Sequence, residues 1–81
     1  MNRDAGNPLL PLAMASENVA VRVVAIQGGA GLARRLTEMG LHVGSEIVVR
    51  QRQGGGLVLS RGETRLALGG GMAHKIMVSP L

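Results

Sequence analysis

Gly29-Ala30-Gly31-Leu32-Ala33-Arg34-Arg35-Leu36-Thr37-Glu38-Met39-Gly40 is the segment on which the fold turns. Leu32, Leu36 and Met39 fall at i, i+4 and i+7, so a helix from about Gly29 to Met39 gathers them into one apolar stripe. Arg34, Arg35 and Glu38 then face away from it. Gly40 stands where a helix ends in a left-handed residue, a conformation that glycine adopts without penalty. This is the one convincing helix, about three turns long.

The sequence on either side reads as strand. Val19 to Ile26 is β-branched, with Arg22 as its only charge, and Gly28-Gly29 breaks it. Glu46 to Arg52 alternates Ile47 and Val49 against Glu46, Arg50 and Arg52. Gly54-Gly55-Gly56 is a hairpin loop, Leu57 to Arg61 places Leu57 and Leu59 inward, and Gly62-Glu63 is a tight turn. Thr64 to Leu68 turns Leu66 and Leu68 inward and Arg65 outward. A short helical turn is expected near 70–74, and Lys75 to Val78 closes the pattern with Ile76 and Val78 facing the core. Short strands, one inserted helix and glycines at the corners predict a mainly β fold, a small barrel with a helix inserted at about 29–39.

Composition narrows the chemistry. The 81 residues are 46% hydrophobic and 17% charged, which suits a single folded domain over 9–81, with residues 1–8 (MNRDAGNP) expected to be a flexible tail. Leu9 to Ala15 (LLPLAMA) faintly imitates a signal peptide, but it is short, broken by Pro8 and Pro11, and lacks a basic lead. No window of apolar residues is long enough to span a bilayer. There is no cysteine, so thiolate metal sites, disulfides and cysteine nucleophiles are excluded, in keeping with a cytoplasmic setting. There is no aromatic residue either. The core must be aliphatic, and stacking on single-stranded bases has no platform. Nine cations against five acids leave a net charge of +4, and eight of the nine are Arg, the residue suited to carboxylates and phosphates.

The run Arg35-Leu36-Thr37-Glu38-Met39-Gly40-Leu41-His42-Val43-Gly44 resembles the RLxELGLxPG signature of the FeoA family, the small ferrous-iron-transport A proteins. Leu66-Ala67-Leu68 followed by Ala73, Ile76 and Val78 resembles that family's close, and Leu12 and Val23 to Ile26 align in spacing. The resemblance covers about residues 9 to 79. It implies an SH3-like five-stranded barrel with an inserted helix. It further implies a small cytoplasmic accessory protein that regulates the FeoB-type ferrous iron permease by contact with the permease's cytoplasmic G-domain region. Asn18 replaces a usual turn glycine, Val43 a usual proline and Gly69 a frequent arginine. A similar domain ends metal-dependent repressors, but no helix-turn-helix pattern precedes this one.

Nucleotide and catalytic motifs fail on inspection. Gly29-Ala30-Gly31 opens a helix, but a dinucleotide fingerprint needs glycine where Arg34 stands. Lys75 is followed by Ile76, which does not complete a phosphate-binding loop. Neither histidine sits in a nucleophile elbow, so no enzyme activity is expected. Glu38, His42 and Glu46 recur every fourth residue and, with His74, supply oxygen and imidazole donors suited to zinc or ferrous iron. Gly40 and Gly44 interrupt that spacing. The expectation is no required cofactor, and at most a weak divalent metal at the surface. The competing function is therefore a transition-metal-binding sensor or carrier domain. For the partner surface the expectation is Arg34 and Arg35 on the helix, joined by Arg50 and Arg52 on an outward strand face.

Overall fold

The computed structural model describes residues 9–81, so the tail expected over 1–8 lies outside the described residues. The chain forms β1 (Leu10–Pro11), a 3-10 turn (Leu12–Met14), β2 (Ala20–Ile26), α1 (Gly29–Glu38), β3 (Glu46–Gln53), β4 (Gly56–Arg61), β5 (Thr64–Gly69), α2 (Gly70–Ala73) and β6 (Ile76–Pro80). The strands make one antiparallel sheet in the order β1-β6-β2-β3-β4-β5. Five of the six strands are the expected ones. The sixth, β1, is two residues at the sheet edge, pairing Leu10 with Val78 and Pro11 with Met77. An edge is where a strand tolerates proline, which has no N–H to donate.

The helix ends as its sequence dictates. Glu38 is its last residue, Met39 caps it, and Gly40 follows at φ +91°. The Gly40 amide donates to the Thr37 carbonyl at 2.9 Å and the Leu41 amide to the Leu36 carbonyl at 2.8 Å. That pair of bonds is a Schellman motif, and the apolar contact that accompanies it is supplied by Leu36 and Leu41, both fully buried. The stripe packs as expected, with Leu36 in the core and Leu32 and Met39 partly buried against it.

Two bulges reset the side-chain alternation. In the β3–β4 ladder Val49 faces Leu59, but Gln51 faces Val58 and Arg52 faces Leu57, leaving Arg50 as the extra residue. Opposed residues share a sheet face, so the bulge rotates Arg52 from the outer face to the face of buried Leu57. In the β2–β6 ladder the extra residue is Val24, between Val23 facing Val78 and Ala25 facing Met77. Val24 is left exposed. The core is wholly aliphatic, drawn from the inner faces of all the longer strands together with Leu12, Ala15, Leu36, Leu41 and Ala73.

Asn18 adopts φ +64°, the left-handed conformation usually given to glycine. Its amide donates to the Val49 carbonyl at 2.7 Å, and Asn is among the few residues that accept this conformation readily.

Candidate interaction surface

The arginines expected to form one partner surface divide into three environments. Arg34 and Arg35 are exposed on the outer face of α1, where neither meets a carboxylate among the described residues. The one ion pair among the described residues is Arg22–Glu46 at 2.8 Å, directly across the β2–β3 ladder, with both side chains more than half exposed. A pair that wet contributes little.

Arg50 is a fastener rather than a free cation. Its Nε donates to the hydroxyl of buried Ser60 and its Nη1 to Oδ1 of Asn18, both at 3.0 Å. The bulge residue thus holds the left-handed turn at Asn18 from outside the sheet.

Arg52 departs furthest from expectation. Its Nε donates to the Ala13 carbonyl at 3.1 Å and its Nη2 to the Ala15 carbonyl. Expected on an outward face beside Arg50, it instead shares the face of Leu57, where its side chain stays exposed, and ties the turn after β1 to β3. The cause is the extra residue at Arg50. Arg50 and Arg52 are thus tied to neighbouring groups of the fold, whereas Arg34 and Arg35 are not.

The candidate metal ligands Glu38, His42, Glu46 and His74 are not brought together. Among the described residues, no three His, Asp or Glu side chains come together to hold an ion. Glu38 ends the helix, and the Schellman turn at Gly40 redirects the chain before His42. His42 lies in the following turn with Nδ1 3.0 Å from the Val43 carbonyl. Glu46 is taken by Arg22, and His74 caps α2 after β5. A spacing of four converges only on an uninterrupted helix.

Two features escaped the sequence reading. One is Arg61, whose guanidinium lies against Gly40 so closely that a Cβ there would stand 2.5 Å from Nη2. Its Nε is buried with no hydrogen-bond partner. The cation faces a helix C-terminus, where the backbone dipole favours positive charge. The other is a cleft of about 260 Å³ between the β3–β4 loop and α2, lined by Arg52, Gly54, Gly55, Leu57, Ala73 and His74 among others. A count of residues back from Gly54-Gly55 could have placed Arg52 correctly.

Residues 10–80 match the FeoA domain family. The chain belongs to the FeoA family. A provisionally named Fe(2+) transport protein A of Methanocaldococcus jannaschii is 40% identical over 70 residues, covering 86% of this chain and 85% of that protein. The crystal structure of an iron uptake regulatory protein, FeoA, superposes with a TM-score of 0.83 at 33% identity, covering 91% of this chain and all of the other. A manganese-dependent transcriptional repressor shares the fold at a TM-score of 0.84 and 20% identity, with this chain spanning 43% of its length. The SH3-like architecture common to FeoA proteins is thus the fold found here. In this FeoA domain no helix among the described residues is long and apolar enough to cross a membrane.

Proposed function

We propose that this FeoA-family chain is a small cytoplasmic accessory protein of ferrous iron transport, regulating a FeoB-type permease by direct contact with its cytoplasmic G-domain region. The observation that supports the contact reading most is the pair Arg34–Arg35, exposed on a helix whose opposite face is committed to the core. Their charge is met by no acid among the described residues. An acidic patch on the permease domain is the complementary surface, and attraction between the two acts mainly on the rate of encounter. No catalytic step is assigned to the chain.

The test is capture of the purified permease cytoplasmic domain by the full chain, over a salt series, with and without a chelator. Capture is expected to fall as salt rises and to be indifferent to the chelator. Arg34→Glu combined with Arg35→Glu is expected to abolish capture at physiological salt while leaving the far-UV spectrum unchanged. Wild-type capture by that double variant would place the contact elsewhere.

A further inference from the structure

We propose that the cleft between the β3–β4 loop and α2 is a binding site for a small organic carboxylate. Independently of the partner contact above, three observations converge on it.

The first is charge. Arg52 is immobilised by the Ala13 and Ala15 carbonyls, which use its Nε and Nη2 but leave its positive charge unneutralised. His74 lines the same cleft, and no acidic side chain does. An arginine fixed by carbonyl groups is pre-organised, so a ligand does not have to order it.

The second is the backbone. Gly54 and Gly55 line the cleft, and their amides make no backbone hydrogen bond among the described residues. Both lack neighbours where a Cβ would point. Unpaired amides beside an arginine are the donor set that recognises an oxyanion. Glycine is sterically required behind them, since a Cβ at Gly70 would run into the Gly55 carbonyl oxygen and one at Gly56 would stand 2.5 Å from the Leu68 carbonyl oxygen. The loop backbone at Gly55 therefore lies close against the start of α2 at Gly70.

The third is size and lining. About 260 Å³ lies just below the usual range for small-molecule sites, roughly 300–1,000 Å³. Ala13, Leu57 and Ala73 add a small apolar share to the lining. A carboxylate on a short hydrocarbon body satisfies both. Gly54, Gly55, Gly56 and Gly70, which the sequence assigns only to a hairpin loop and a short helical turn, thereby acquire a further role.

The test is amide chemical-shift titration of the full chain with sodium propionate at constant ionic strength, with propionamide as the neutral isostere. Saturable shifts confined to residues 52–57 and 70–74 are expected with propionate, at a dissociation constant on the order of 1 mM. Gly55→Glu brings its own carboxylate to the loop at a position whose φ is not left-handed and where a Cβ meets nothing within 4 Å. It is expected to remove the response while keeping the wild-type fold. His74→Ala is expected to weaken binding roughly tenfold, as loss of one charge-assisted contact does. Arg65→Glu, which lowers the net charge at an exposed position outside the cleft lining, is expected to leave it unchanged. Unsaturable or scattered shifts, an equal response to propionamide, or unaltered binding by Gly55→Glu and His74→Ala would each overturn the assignment.

Discussion

Replacing Arg52 with Met separates the observed architecture from simple strand alternation. Methionine keeps most of the aliphatic length and removes every donor. On an outward, solvated strand face the change would shift stability by no more than about 0.5 kcal/mol. In the structure, however, Nε and Nη2 bond the carbonyls of Ala13 and Ala15, residues 39 and 37 positions away. A hydrogen bond to a charged group is worth about 1.5–3 kcal/mol when well shielded. The Arg52 side chain is exposed and water can replace part of each bond, so the lower end applies, about 1–3 kcal/mol for the two together. The clasped segment also carries Leu12 and Ala15 into the core, so its loosening exposes apolar surface. Urea unfolding at matched m-value gives the number, and a melting temperature lower by about 4–8 °C per kcal/mol should accompany it. Arg65→Met, on the outward face of β5, is the control. If both substitutions cost the same small amount, the bulge does not turn Arg52 inward as described.

Leu36→Ala should destabilise by about 2–5 kcal/mol, because the side chain is fully buried at the Schellman contact with Leu41; denaturant titration should show Leu32→Ala, at a half-buried position, costing clearly less. Gly40→Ala should cost at least about 1 kcal/mol, since φ +91° disfavours a Cβ and the new methyl displaces the Arg61 guanidinium; unfolding at wild-type denaturant concentration would contradict this. Arg22→Ala should change stability by less than about 1 kcal/mol despite its 2.8 Å contact with Glu46, because both partners are solvated. Arg34→Glu with Arg35→Glu should likewise melt within a few degrees of wild type, which makes the pair usable as a binding probe.

The β3–β4 hairpin shows how far residue patterns carry. Counting forward from Ile47 and Val49 sends Arg52 outward. Counting back from the two-residue loop Gly54-Gly55 sets Gln53 against Gly56 and Arg52 against Leu57, which is inward. The two counts disagree by one residue, and that disagreement is the bulge. Arg50, Gln51, Arg52 and Gln53 are all polar, so no apolar residue in the stretch signals which count applies. The same gap separates the two halves of the candidate site. Arg34 and Arg35 were legible because a 3.6-residue period fixes a helix face locally. The positions of Arg50, Arg52 and Arg61 depend on partners across the fold.

By itself the sequence determined the helix, its glycine stop, the five longer strands, the aliphatic core and the exclusion of thiolate and base-stacking chemistry. Each follows from local periodicity, backbone freedom at single glycines or the absence of a residue type. Tertiary structure decided the rest. It added β1, which is too short to show a period and exists only because β6 offers it a ladder. It dispersed Glu38, His42 and Glu46, because a turn reorients the chain between them. It joined Arg52, His74 and the loop glycines around one cleft, although 22 positions separate the first two. Side chains distant in sequence become neighbours only when register is set, and register is a property of the assembled sheet.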